Sequence, residues 1–312
     1  MKLSNYETMK LLVTGGSGYV GAGVLRRTPS NWTIAATYFA HPIERAGVAA
    51  FRVDIRDVDA VNRLFAEFCP DVVIHTAARM VGDGMMATNA DGSRQIARAA
   101  TRVHARLIHL SSDVIFDGEH APYDENATPA PITPYAESKA RAEQAVKEEF
   151  ARSRRRSHSD CNSPGAEGES VQPHPIIVRT SLVYGCTPMD PRTRQTVAGE
   201  MPRLFTDEYR CPIFVEDLAD ALLEIAAETS EVSKTLEVSV LNIAGPQRLN
   251  RYEFGIKLAR ALGVEPRFQP AFSASSPTPR PRDCTLDISR AQKILRTRLR
   301  GIDEVINEWK NE

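Results

Sequence analysis

The sequence predicts an α/β fold built on a doubly wound parallel sheet, followed by a smaller C-terminal region. Three observations predict it. Short apolar runs alternate with amphipathic stretches through the first half, the rhythm of strand–helix–strand units. A glycine-rich turn, Thr14-Gly15-Gly16-Ser17-Gly18-Tyr19-Val20-Gly21, separates the first apolar run from the first amphipathic stretch. After Arg179 the alternation loses its regularity.

Taken in order, Lys10–Val13 reads as the first strand and Gly18–Arg27 as the first helix. Thr33–Tyr38 and Phe51–Val53 are the next strands. Val58–Phe68 carries apolar residues at helical spacing, and Asp71–His75 is a buried strand. Thr88–Val103 reads as a helix and Leu107–Ser111 as a strand. Pro134–Phe150 is a helix with proline in its first turn, where a missing N–H costs nothing. Residues 152–175, rich in Arg, Ser, Gly, Pro and Glu and without apolar period, read as a mobile surface loop. Its run Arg154-Arg155-Arg156 is a solvated helix end, where cations complement the helix dipole.

Ile176–Arg179 resumes the sheet. Val215–Thr229 is a helix, Val238–Ile243 a strand, and Asn250–Leu262 a helix with an asparagine cap. Pro266–Pro281 is proline- and serine-rich and extended, and Ile302–Lys310 closes the chain as a short helix. The boundaries are a first domain over 9–180 and a smaller region over 181–312, of which 215–245 returns to the first.

Composition narrows the class. With 312 residues and 42% hydrophobic content, the chain can bury more than one compact core. Its net charge of −1 supplies no field for nucleic acid or anionic membrane. The longest apolar stretches, such as Val72-Val73-Ile74, are strand-sized, far from the roughly 20 residues a bilayer span needs. Five scattered cysteines without Cys-x-x-Cys spacing argue against disulfides and zinc, so a reduced, metal-free, cytoplasmic protein is expected.

Gly15-x-x-Gly18-x-x-Gly21 follows a strand and opens a helix, the setting of a dinucleotide fingerprint. Glycines there allow the tight turn, close approach to pyrophosphate and close helix–strand packing. The fold expected is therefore an NAD(P)-binding Rossmann domain, with Gly15, Gly18, Tyr19, Val20 and Gly21 at the cofactor. The second strand ends Tyr38-Phe39-Ala40-His41 without the carboxylate that binds the free ribose of NAD. His41, Arg45 and Arg26 or Arg27 are candidate partners for a 2′-phosphate, which favours NADP(H) over NAD(H). Asp54, with Ile55 beside it, is placed to meet the adenine. Ala77 and Ala78 let the cofactor pass close to the backbone. Asn89 opens the next helix as a relay residue or as its cap.

Tyr135 and Lys139 stand four apart on the helix from Pro134 and share a face. A tyrosine has a pKa near 10, and a neighbouring cation lowers it. Ser111-Ser112-Asp113 ends a strand at the carboxyl edge, where open α/β sheets bind ligands. With Ser112, Tyr135 and Lys139 the chain resembles the extended short-chain dehydrogenase/reductase family. Within it the likeness is to the dTDP-4-dehydrorhamnose reductases. It rests on Ser111-Ser112-Asp113-Val114-Ile115-Phe116-Asp117-Gly118, on Pro134-Tyr135-Ala136-Glu137-Ser138-Lys139 and on Val178-Arg179-Thr180-Ser181-Leu182-Val183-Tyr184-Gly185. Phe214-Val215-Glu216-Asp217-Leu218-Ala219 and Arg280-Pro281-Arg282-Asp283-Cys284-Thr285-Leu286-Asp287 extend it.

That resemblance implies that Tyr135 protonates a sugar C4 oxygen while NAD(P)H delivers hydride to C4. Lys139 would bind the nicotinamide ribose and lower the tyrosine pKa, Ser112 would orient the carbonyl, and Asn89 falls at a proton-relay position. The C-terminal region would bind a small-molecule nucleotide sugar, and a homodimer is left open. The segment between Gly185 and Phe214 is shorter than in the family, and Arg192, Arg194 and Arg203 within it could grip a diphosphate. Two other functions use the same residues. One is a non-catalytic nucleotide-binding subunit resembling the regulatory subunit of methionine adenosyltransferase; the other is a sugar-nucleotide epimerase with tightly held NAD.

Overall fold

A computed structural model describes residues 9–160, 174–227 and 240–309, with only the helical backbone of 156–160. Seven strands form one sheet. Its order is Val240–Asn242, β6 (Ile176–Thr180), β5 (Arg106–Ser112), β4 (Val72–His75), β1 (Lys10–Thr14), β2 (Thr33–Tyr38) and β3 (Val48–Arg52). The pairs from β5 through β4, β1 and β2 to β3 are all parallel. Strand order reverses between β1 and β4, and a crevice at such a reversal is where open α/β sheets take their ligands.

The chain divides into two compact units. The first holds the residues up to Leu110, Ser138–Ile177 and a stretch from Ile225; the second holds Ser111–Glu137, Val178–Glu224 and the residues from Val240 onward.

In the first unit, Asp57 caps α2 (Val58–Phe68) by accepting from the amides of Asp59 and Ala60. Val61, Leu64 and Phe65 then fall on one face. They pack on Leu12, Ala35, Val73 and Leu107 of the sheet, with Ile96 and Ala100 of α3 (Gly92–Arg102) and Val146 and Phe150 of α4 (Pro134–Asp160). Each large side chain buried this way contributes about 1.5–3 kcal/mol.

Four elements differ from the sequence reading. The third strand is Val48–Arg52 rather than Phe51–Val53, because its pairing with β2 begins at Ile34 opposite Val48, in a run whose exposed alanines hide the alternation. The helix expected over Thr88–Val103 opens as a π-turn, Ala87–Asp91, before α3 begins. Helix α4 does not stop at Phe150: residues 152–160 are helical, so the expected loop is corrected there. Arg152 pairs with Glu149 at 2.8 Å and Glu148 at 3.8 Å, the i, i+3 and i, i+4 contacts that prolong a helix. Residues 161–173 of that loop lie outside the described residues, as do 228–229, 238–239 and Lys310 of the expected C-terminal elements. Finally, Pro266–Pro281 is not wholly extended. Gln269–Ala271 pairs in parallel with Arg203–Phe205, and Ser273–Ser275 makes a 3-10 turn.

In the second unit the short segment after Gly185 is filled by α5 (Pro191–Ala198) and two short strands, Arg203–Phe205 and Tyr209–Arg210. Tyr184, Phe214, Phe254 and Trp309 form an aromatic cluster, with ring centroids 5.5 to 6.1 Å apart. The helix Arg251–Ala261 has the full capping box of Asn250 and Glu253. Among the described residues no helix is long and apolar enough to cross a membrane.

Candidate functional site

The glycine turn is braced from two sides. Gly15 N–H donates to Thr37 Oγ1 at 3.1 Å and Gly16 N–H to the Thr37 carbonyl at 2.8 Å. Thr76 Oγ1 donates to the Thr14 carbonyl at 2.8 Å. Gly15 has φ +74°, and a Cβ there would stand 2.7 Å from the Ala77 backbone. A Cβ on Gly21 would stand 2.3 Å from the Gly15 carbonyl oxygen, so both positions demand glycine. Gly18 is the cap residue of α1 (Tyr19–Arg27) and gives it no side-chain hydrogen bond. That leaves a helix N-terminus behind a glycine cradle, which fits a dinucleotide pyrophosphate.

Around this turn the expected cofactor residues scatter in character. Tyr19, Val20 and Tyr38 are half-buried, while His41 and Ala78 are exposed. Asp54 is engaged by Arg56, whose guanidinium donates to both carboxylate oxygens at 2.6 to 3.1 Å. That hydrogen bond holds the Asp54 carboxyl below its usual range. Ile55 is 5% exposed, and its side chain lies 2.8 Å from where a Gly92 Cβ would stand, so it serves the core.

Asn89 sits in the π-turn, fully buried. Its side chain accepts from Arg79 N–H at 2.7 Å and donates to the Arg79 carbonyl and Ser138 Oγ, each at 2.8 Å. All three bonds dock other parts of the first unit. Lys139 is 4% exposed and donates to the Leu110 carbonyl at 2.6 Å. Burial pulls its ammonium down to about 8, with Glu143 opposing.

In the second unit, Ser112 Oγ donates to Asp113 Oδ1 at 3.2 Å and Ser181 Oγ to Asp113 Oδ2 at 2.6 Å. Arg210 approaches the same carboxylate at 3.7 Å. Burial raises the Asp113 carboxyl while Arg210 lowers it, the first effect winning. Tyr135 is pushed up to about 12 by burial and then by Asp113, with Arg192 opposing. This differs from the sequence expectation. Burial outweighs the opposing cation Arg192, so the phenol is held protonated rather than primed as phenolate.

Arginines gather around Glu208. Its carboxylate, 4% exposed, meets Arg210 at 3.4 Å, Arg280 at 3.6 Å and Arg251 at 4.0 Å. Arg192 is repelled by Arg280 and Arg210 and attracted by Glu208 and Asp190. Burial and the nearby Arg192 bring Arg251 down to about 10. Glu208 Oε2 and Arg280 Nε are buried without a hydrogen-bond partner. Four guanidiniums thus converge on Glu208, and together they offer charged donors to a bound anion. Arg280 also lines a cavity of about 520 Å³ with Asp117, Glu119, Asp207, Ser273 and Arg282.

The model of the RmlD substrate binding domain matches residues 9–154 and 167–312. The chain belongs to this family. A dTDP-4-dehydrorhamnose reductase of Mycobacterium tuberculosis is 31% identical over 303 residues, covering 92% of this chain and 86% of that protein. Methionine adenosyltransferase 2 subunit beta of Pongo abelii is 26% identical over 311 residues, covering 93% of this chain and 84% of that protein. Among solved structures, dTDP-4-dehydrorhamnose reductase of Bacillus anthracis in complex with NADP matches with a TM-score of 0.73 at 21% identity, covering 99% of both chains. WbmG of Bordetella bronchiseptica in complex with NAD matches with 0.75 at 20%, covering 99% of this chain and 96% of that one.

Seen as an RmlD-family chain, its sequence yields the glycine turn, Ser112, Tyr135 and Lys139 from motif spacing. Of the three arginines singled out for a diphosphate, only Arg192 belongs to the cluster; Arg194 and Arg203 are exposed. Arg210, Arg251 and Arg280 were missed, as were Thr37, Thr76, Asp113 and Ser181. Each depends on distant segments meeting. Asp113, Ser181 and Arg280 stand within motifs quoted from the sequence, but no role was assigned to them there.

Proposed function

We propose that the chain is an NAD(P)H-dependent reductase of a 4-keto sugar nucleotide of the dTDP-4-dehydrorhamnose type. One observation carries the reading: the phenol of Tyr135 lies within the electrostatic reach of Arg192, a member of the arginine cluster. A proton donor and an anion handle thus share the second unit. Bound there, a keto sugar linked to a diphosphate would present its charge to Arg192, Arg210, Arg251 and Arg280. Tyr135, protonated across the working range, would give its proton to the C4 oxygen, and Ser112 would hydrogen-bond that oxygen.

In the first unit, Gly15, Gly18 and Gly21 with the α1 N-terminus would hold the dinucleotide, and Lys139 would bind its ribose. When bound, that cofactor supplies the hydride. NADP(H) is the preferred form. No carboxylate ends β2, Arg26 Nη2 is buried without a hydrogen-bond partner, and the Arg45 guanidinium reaches the Arg26 carbonyl at 3.5 Å. A reaction on soluble nucleotide sugars with a reduced cofactor fits the cytoplasm.

Purified protein should oxidise NADPH steadily with dTDP-4-dehydrorhamnose, and Tyr135→Phe should abolish turnover while still binding cofactor. Absence of turnover across a panel of keto-sugar nucleotides would sink the reading. A second reading, a nucleotide-binding regulatory subunit, draws on the likeness to methionine adenosyltransferase 2 subunit beta. It requires a stoichiometric complex with a purified methionine adenosyltransferase catalytic subunit in sedimentation, without reductase activity.

A further inference from the structure

A buried line of side chains in the first unit has no place in the chemistry above. Thr14 ends β1 at the glycine turn, and its Oγ1 lies 2.5 Å from His75 Nδ1. His75 ends β4, 1% exposed, with Nε2 2.9 Å from Ser93 Oγ on α3. Ser93 Oγ in turn lies 2.5 Å from the Asn89 carbonyl in the π-turn. Asn89 Nδ2 then donates to Ser138, the residue before Lys139 on α4.

Proton counting fixes the direction of every bond. A carbonyl only accepts, so the single proton of Ser93 goes to Asn89. Ser93 Oγ must therefore accept from His75, which places a proton on Nε2. A neutral imidazole then has a bare Nδ1, which accepts from Thr14. The groups that bear on His75 favour the neutral ring. Burial and the ammonium of Lys139 bring it down to about 3. His109 of β5, its ring centroid 5.2 Å away, is held well below its ordinary value by burial and then by the same ammonium.

We infer that His75 is a positioning residue of the proposed reductase: as the Nε2–H tautomer it drives a one-way hydrogen-bond chain, Thr14 to His75 to Ser93 to Asn89, that sets the π-turn. The inference rests on the proposed function only in reading α4 as the helix that bears the reacting groups. The chain has a second, reversed state. If Nδ1 takes the proton, Nε2 becomes an acceptor, Ser93 turns its hydroxyl to His75, and the Asn89 carbonyl loses the Ser93 hydroxyl. Ser93 selects between the two states: its proton is spent on the Asn89 carbonyl, so it can only accept from Nε2–H, and the Thr14 hydroxyl follows by donating to the bare Nδ1. The tautomer of the ring that ends β4 is thus tied to the hydrogen bonding of Asn89, which holds Ser138.

Two measurements test this. In protein labelled with 15N-histidine, two-bond ring correlations should show His75 as the Nε2–H tautomer, unchanged from pH 5.5 to 8.5. An Nδ1–H ring or an imidazolium in that range overturns the inference. Ser93→Ala removes the hydroxyl that fixes the tautomer and Ser93→Thr keeps it. The alanine variant should populate the Nδ1–H tautomer and lower kcat about 5- to 10-fold, the scale of one lost hydrogen bond. The threonine variant should stay within about two-fold, and both should bind NADPH as the parent does. Equal tautomer and equal kcat in the two variants would refute the chain. If the parent shows no turnover at all, the proposed function falls, and the His75 tautomer alone then decides the inference.

Discussion

Replacing Lys139 by methionine tests the buried ammonium directly. Its pKa falls from 10.5 to about 8 because burial penalises the charge. At about 1.4 kcal/mol per pH unit, folding with a charged Lys139 costs about 3 kcal/mol at neutral pH. The sign follows from proton binding. Between pH 8 and 10.5 the unfolded chain holds more protons on this lysine than the folded one, so stability rises with pH through that window. From pH 7 to 9.5 the parent should gain about 2 kcal/mol relative to Lys139→Met. Urea unfolding of both proteins without cofactor, at the two pH values, measures the double difference and cancels every other titrating group. The absolute difference at pH 7 is less telling, since the lost bond to the Leu110 carbonyl opposes the gain. A difference between the two proteins that stays constant with pH, or grows in favour of methionine, would refute the burial of a charged Lys139.

Other outcomes follow from the same geometry. Gly21→Ala should destabilise the protein by more than about 2 kcal/mol, because the new Cβ meets the Gly15 carbonyl, as thermal unfolding would show. Gly18→Ala, whose Cβ comes no closer than 3.2 Å to that oxygen, should fold yet bind NADPH more weakly in fluorescence titration. Asp113→Asn removes a charge that raises the Tyr135 phenol, so the phenolate absorbance assigned by Tyr135→Phe should appear at lower pH. Arg280→Ala should raise KM for the nucleotide sugar about 10-fold or more and leave KM for NADPH unchanged.

The first unit was largely legible because its signals are local. The 58–68 helix shows its buried face as Val61, Leu64 and Phe65, and Asp57 caps it, so periodicity and cap agreed with the structure. The glycine turn was readable for a similar reason: Gly15 and Gly21 leave no room for a Cβ, and their spacing after a strand and before a helix is a local signal. Three features were not legible. The extension of the last long helix depends on Arg152 meeting Glu148 and Glu149, in a stretch whose composition resembles a loop. The π-turn at Asn89 is a one-residue insertion that leaves the apolar period almost unchanged. The arginine cluster joins residues 192, 208, 210, 251 and 280, and no local pattern announces that five such positions converge. The Tyr135 phenol is raised rather than lowered for a related reason, since spacing on a helix shows neither the depth of burial nor the charge that Asp113 brings to it.

Transfer of deuterium from the reactive face of [4-2H]NADPH to dTDP-4-dehydrorhamnose, followed by NMR of the product, tests the central claim most directly. The account predicts deuterium at C4 of the sugar and release of NADP, with no product in Tyr135→Phe. Turnover that left C4 unlabelled, or a Tyr135→Phe variant as fast as the parent, would contradict it.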